Sequence, residues 1–393
     1  MPRFEPFRAL RYAPGTDLAA VSSPPYDVLS DADVDLLVAR DEHNITRVDV
    51  PRGGDDRYQE AARRLRGWIA DGVLVADDRP SFTAYRMRFT DETGVRRDLA
   101  GVFGALEVVD AGAGGVLPHE RTTAKASSDR LDLTRATHCN LSPVWGLALA
   151  RGLTTELSEP GEPVGSLTVD GVEHVVERID DPERVCRIGT AVGADAVLIA
   201  DGHHRYGVAQ IYRGEQRGTP LEAAAELTLA FVGELTPEQL SIDAIHRLYT
   251  GVSIDRLRAD LSACFDVAPA PRPDGELLQK LRQRGALALV APDGTAQYLI
   301  PKPHAFDRVR ALDGAWLEHA LAGSRSQVTY QHGIEEVLEV LRSGGASAAV
   351  LIRPTGISEI ERTAREGLLM PPKSTFFTPK LRTGLVIRDL TLG

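Results

Sequence analysis

Hydrophobic and polar positions along the chain switch between two periods, and the switching predicts a mixed α/β (α+β) fold. From Arg57 to Asp71, apolar residues recur at Ala61, Leu65, Trp68 and Ile69, spacing that predicts a helix closed at Gly72. Ser30-Asp31-Ala32-Asp33 reads as a helix start, its acidic residues placed where the helix dipole favours them. Ser81 to Phe89 carries a strand pattern, and Asp91-Glu92-Thr93-Gly94 is a turn into a second strand from Val95 to Leu106. Leu18 to Ser22 is a short apolar piece. The tandem prolines of Ser23-Pro24-Pro25-Tyr26-Asp27 then force an extended loop.

The most apolar strand candidates of the middle region lie at 101–110 and 195–200. Val197-Leu198-Ile199-Ala200 runs directly into Asp201-Gly202-His203-His204-Arg205 and a helix-like stretch from Tyr206 to Tyr212. Strand, polar loop and helix in that order aim backbone N–H groups at an anion. Beyond about 240, helices are predicted from Asp255 to Phe265, Asp274 to Arg284 and Ile334 to Leu341. Strands are predicted from Ala286 to Ala291, Gln297 to Ile300 and Ala348 to Arg353. Pro269, Pro271 and Pro273 mark a long loop. No internal repeat or low-complexity tract is present. At roughly 150 residues per domain, a chain of 393 residues suggests two or three domains, and the pattern divides it at 1–100, 101–240 and 241–393.

Charge narrows the functional classes. Lys and Arg number 45 against 56 Asp and Glu, a formal charge of −11, which argues against a protein that coats nucleic acid. At 43% hydrophobic residues, the chain can bury a sizeable core. Cys139, Cys186 and Cys264 form no CxxC pair, so neither a zinc knuckle nor a disulfide framework is expected. With no signal-like start and no apolar run long enough to span a membrane, a cytoplasmic location without membrane partners is expected. A homodimer is compatible with all of this.

The sharpest chemical signal is Asp201-Gly202-His203-His204-Arg205. Gly202 lets the backbone approach a ligand, Arg205 offers a planar fork suited to phosphate, and the two histidines add donors. A second signal is Leu117-Pro118-His119-Glu120-Arg121-Thr122, after the glycines at 112, 114 and 115. A carboxylate beside histidine suits a general base or metal ligand, although a solvated turn has the same composition. Lys125, Asp129 and Arg130 read as the start of a helix with a charged exposed face. The third signal is the proline-held stretch from Met370 to Lys380. Its Lys373 and Lys380, with Ser374 and Thr375, form either an anion clamp or an edge guarded against aggregation. Tyr26-Asp27 and His246-Arg247 are shorter patterns. A Walker phosphate loop, a dinucleotide fingerprint, a His-Glu-x-x-His helix and the protein-kinase motif set are all missing.

Taken together, Pro24-Pro25-Tyr26-Asp27, His119-Glu120 with Asp129-Arg130, Asn140-Leu141-Ser142-Pro143, Asp201-Gly202-His203-His204-Arg205 and Pro372-Lys373-Ser374-Thr375-Phe376-Phe377 resemble the domain-of-unknown-function family numbered 1015. The resemblance runs along nearly the whole chain. It implies a ParB/sulfiredoxin-like nucleotide-binding core over 101–240, with α/β regions added at each end, and kinship with free serine kinases. By that resemblance Gly202, His203, His204 and Arg205 hold nucleotide phosphates, with Lys373 and Lys380 as further phosphate ligands. Glu120, beside His119, matches the catalytic glutamate and a possible Mg²⁺ ligand, and Asp201 helps position metal or substrate. Tyr26, Asp27, Arg130 and Asn140 are the candidate substrate contacts.

The implied reaction is phosphoryl transfer from ATP or ADP, with Mg²⁺, to the hydroxyl of free L-serine or a related compound. Such chemistry needs positioning and charge neutralisation more than covalent help. Glu120 acts efficiently as a base only if it is desolvated or aimed by His119. The alternatives are a metal-dependent phosphatase or nucleotide hydrolase using His119, Glu120, His203 and His204, and a non-catalytic nucleotide sensor. Sulfinic-acid reduction would require a cysteine in the phosphate loop, where this chain has histidines.

Overall fold

The computed structural model describes the chain apart from residues 92, 93, 111, 119–126, 371, 372 and 393. Its centre is a nine-stranded mixed sheet. The strands are β1 (Phe4–Glu5), β2 (Phe82–Thr90), β3 (Arg96–Glu107), β4 (Val116–Pro118) and β5 (Val144–Ala148). β6 (Glu162–Val169), β7 (Val172–Ile179), β8 (Val197–Asp201) and β9 (Leu227–Glu234) complete it. The order is β4-β8-β5-β9-β3-β2-β7-β6, with β1 paired to β3. β4 runs parallel to β8 and β5 parallel to β9, while β8 and β5 are antiparallel. The mixed α/β character expected from the pattern is therefore observed.

β5 and β9 are buried at every residue, as befits apolar strands covered on both faces. On one face Tyr85, Phe103, Trp145 and Phe231 meet ring to ring at 5.3 to 5.8 Å. Gly101 of β3 makes room for them: a Cβ there would lie 2.3 Å from the Phe231 ring. Two helices near the β4-β8-β5 end matter for the site, α1 (Ser127–Thr137) and α2 (His203–Glu215).

A second sheet follows. It contains β10 (His246–Thr250), β11 (Phe265–Pro269), β12 (Leu287–Val290), β13 (Ala296–Pro301), β14 (Gln327–Gln331) and β15 (Ala348–Leu351). Its order is β11-β13-β12-β15-β10-β14, antiparallel throughout. On one face Leu248 packs with Leu277, Leu281, Val337 and Leu341. On the other, Tyr249 packs with Leu257, Leu261 and Leu317. The predicted helix from Asp255 to Phe265 is shorter than expected. It ends at Leu261, and Phe265 already opens β11.

The chain then leaves the second sheet and pairs with segments outside it. Phe376–Thr378 pairs with Ser241–Asp243, Thr383 with Ser23, Ile387 with Leu10, and Arg388–Asp389 with Cys139–Asn140. Residue 100 falls inside β3, which pairs with β2 on one side and β9 on the other. Among the described residues, no helix is long and apolar enough to cross a membrane.

Candidate functional site at the end of the 197–201 strand

β8 ends at Asp201, and Gly202 begins α2 with φ +83°, a left-handed conformation that glycine adopts without strain. No side chain caps the helix start. Arg205 folds back over this turn: a Cβ on Gly202 would lie 3.3 Å from its Cζ and Nε. The Arg205 guanidinium donates to the Pro143 carbonyl, and its Nη2 lies 3.4 Å from Asp27 Oδ2 and 3.8 Å from Asp201 Oδ2. Lys380 Nζ, arriving on the returning C-terminal segment, donates to Asp201 Oδ2 at 2.9 Å. Burial alone would raise the Asp201 pKa, but Lys380 and Arg205 outweigh it and hold the carboxyl well below its usual range. Burial works against charge on Arg205 too. There Asp27 and Asp201 win and keep the guanidinium firmly protonated.

Beside this turn, Tyr26 sits against two cations. The Arg130 guanidinium lies 4.2 Å from the ring centre and that of Arg205 lies 5.8 Å from it. Arg130, on α1, pairs with Asp129 at 2.6 Å and Asp49 at 3.2 Å. Asp49 is wholly buried and also accepts from Ser142 Oγ at 3.2 Å. Burial pushes its carboxyl pKa up, against the pull of Arg130. These groups form the polar end of a cavity of about 50 Å³, whose floor between α1 and α2 is apolar. At roughly 10–15 Å³ per water, that is room for a few waters or one small polar group. Asn140 stands in its wall, where Oδ1 accepts from the Leu229 N–H at 3.0 Å.

The structure thus brings together Tyr26, Asp27, Arg130, Asn140, Asp201, Gly202, Arg205 and Lys380 from five separate stretches of sequence. One expectation is corrected: Arg130 is not on a charged exposed helix face but 8% exposed, turned inward by Asp49 and Asp129. His203 and His204 occupy the first turn of α2. His204 Nδ1 and Arg205 Nε are buried without a hydrogen-bond partner among the described residues. The Lys373 carbonyl accepts from Arg247 of β10. His119, Glu120 and Lys125 lie outside the described residues. Pro118, the last residue of β4, is in parallel register with Ile199 of β8, and residues 119 and 120 follow it directly in sequence. Sequence reasoning missed Asp49 entirely, and the role of Ser142 within its quoted motif. Among the described residues, no group of three His, Cys, Asp or Glu side chains could hold a metal ion.

The model of the family described as "Protein of unknown function (DUF1015)" matches residues 4–315. The chain belongs to this family. No curated protein matches this DUF1015 member. Among solved structures it is similar to a free serine kinase in complex with AMP, at 13% identity and TM-score 0.37 over 69% of this chain and 89% of that one. It is also similar to SbnI with C-terminal truncation from Staphylococcus aureus, at 14% identity and TM-score 0.40 over 74% and 88%. A conserved hypothetical protein from Pyrococcus furiosus matches at 12% identity and TM-score 0.37 over 71% and 94%.

Proposed function

We propose that this DUF1015 chain is a small-molecule kinase with a ParB/sulfiredoxin-like phosphate site. It would transfer a phosphoryl group from ATP or ADP to the hydroxyl of free L-serine or a related hydroxy compound. The observation that carries the reading is the parallel pairing of β4 with β8. Parallel neighbours end at the same sheet edge, so the segment beginning at His119-Glu120 and the turn Asp201–Arg205 leave adjacent strand ends. β5 is antiparallel to β8 and therefore starts at that edge, which adds Asn140 to Pro143. Ligand sites in α/β sheets favour such strand ends.

In this reading the N–H groups at the start of α2 receive the phosphates, since the helix dipole and uncapped amides favour negative charge. The two buried nitrogens of His204 and Arg205 that lack partners support a ligand at this turn. Lys380 and Arg205 supply positive charge, with Asp201 holding both in place. Glu120 accepts the proton of the substrate hydroxyl as its oxygen attacks the terminal phosphorus in line. The nucleotide leaves with one phosphate fewer. Mg²⁺ neutralises phosphate charge in such reactions and is usually held by the phosphates with one or two carboxylates. The described residues offer no dedicated cage for it; Glu120 is the ligand the resemblance nominates, with Asp201 helping to position metal or substrate. The hydrolase alternative needs His119, Glu120, His203 and His204 as metal ligands, and no observation favours it.

Phosphorus NMR with L-serine, Mg²⁺ and either ATP or ADP tests the proposal. O-Phosphoserine forming in step with loss of the terminal phosphate is the expected result. Hydrolysis to inorganic phosphate alone, whatever hydroxy compound is added, would remove the kinase reading.

A further inference from the structure

The second sheet ends in an unguarded strand. β14 pairs with β10 on one side only, so among the described residues its outer N–H and C=O groups have no ladder partner. Gln327, Val328, Thr329 and Tyr330 are exposed, Val328 and Tyr330 by 41% each. Proteins normally blunt such an edge with a charged side chain, a proline or a bulge. The sequence Gln-Val-Thr-Tyr-Gln has no charge and no proline, and its register with β10 is unbroken.

We infer that β14 pairs antiparallel with β14 of a second copy of this chain, about a two-fold axis through Thr329. The strand is self-complementary about that residue: Gln327 falls opposite Gln331, Val328 opposite Tyr330, and Thr329 opposite itself. This is what a two-fold interface demands, because each residue meets the image of its counterpart. Val328 and Tyr330 lie on the sheet face of their register partners Tyr249 and Arg247, and the Arg247 guanidinium sits 4.6 Å from the Tyr330 ring centre. Each exposed Val328 thus meets a tyrosine already held in place, a β-branched and aromatic pair of the favourable kind.

Moving the axis by one residue, to Val328, shifts the register by two, puts Tyr330 opposite Ser326 and loses the match of Val328 with Tyr330. The product is one continuous sheet built from both copies. Its contact is short, so the dimer is weak and concentration-dependent.

Sedimentation velocity on the full chain over about 1 to 100 µM, the range suited to a small interface, tests the inference. A monomer–dimer equilibrium is expected. Thr329→Lys sets two ammonium groups against each other on the axis and weakens it at least about tenfold. Thr329→Cys forms an interchain disulfide on oxidation, because directly opposed strand residues bring Cα atoms within about 4.5–5.5 Å. The unsubstituted chain, with its own three cysteines, is the control. If Thr329→Lys fails to fold, the cysteine variant decides. A native chain that stays monomeric overturns the inference, even if its edge takes up a foreign peptide. So does a dimer that ignores Thr329→Lys, or one that Thr329→Cys does not cross-link.

Discussion

Lys380 Nζ lies 2.9 Å from Asp201 Oδ2, an ion pair between residues 179 apart in sequence. It ties the C-terminal return of the chain to the turn that opens α2. The two sites of charge in the cluster, Asp201 with its cations and Asp49 with Arg130, meet at Tyr26 and Arg205.

The first expectation concerns that pair. Asp201 has a pKa held down in the fold. Its stabilisation is therefore fully present above the ordinary carboxylate value and is lost as pH falls through the lower folded one. Asp201→Asn should cost about 1–3 kcal/mol at pH 7, the worth of charged hydrogen bonds in a mostly buried site. Urea titrations should show that deficit shrinking as pH drops below about 4. A deficit that stays constant to lower pH would mean the pair contributes no pH-dependent stability.

Gly202→Ala should destabilise by about 1–3 kcal/mol, the cost of a side chain in a left-handed turn. The added Cβ also meets Arg205 and Val144 Cα at 3.3 Å. Unfolding curves at pH 7 check this. A neutral result would show that the turn relaxes freely and that the glycine is not needed there for backbone reasons.

Arg130→Ala should cost about 3–5 kcal/mol, because it leaves Asp49 as a buried, uncompensated carboxylate. Adding Asp49→Asn should recover part of the loss. A double-mutant cycle measures the coupling directly. Strict additivity would contradict the proximity of the two groups.

His174 is neutral in the fold. Burial, reinforced by Arg382, pushes its pKa down to about 4, and its Nδ1 lies 2.7 Å from Tyr85 Oη. The unfolded chain takes up a proton first as pH falls through about 6.5, so this stabilisation is present above 6.5 and drains away toward 4. Between pH 7 and 4, the native chain should lose about 3 kcal/mol more than His174→Gln does. Equal losses would show that His174 is already charged in the folded protein.

What the sequence revealed was local. The amphipathic runs around Leu65, Leu281 and Leu341 fixed their helices because periodicity is a property of a single segment. The turn after Ala200 was visible because an apolar strand, a glycine and a helix start are contiguous. The burial of Arg130 was not visible, since it depends on Asp49, 81 residues away. Asp49 itself carries no local mark: it ends the single helical turn Thr46–Asp49 and becomes distinctive only when Ser142 and Arg130 close over it. That residue 100 lies inside a strand paired on both sides is hidden for a related reason. Strand pairing across β3 is a long-range choice that composition does not record.

The most direct test of the central claim, that the segment after β4 and the turn after β8 serve one phosphoryl transfer, is a phosphorus NMR assay of the native chain beside Glu120→Gln with L-serine, Mg²⁺ and ATP or ADP. O-Phosphoserine is expected from the native chain, with at least about a hundredfold slower formation by a folded Glu120→Gln, the usual worth of a general base. Equal rates from the two, or no phosphorylated product from the native chain with either nucleotide, would contradict it.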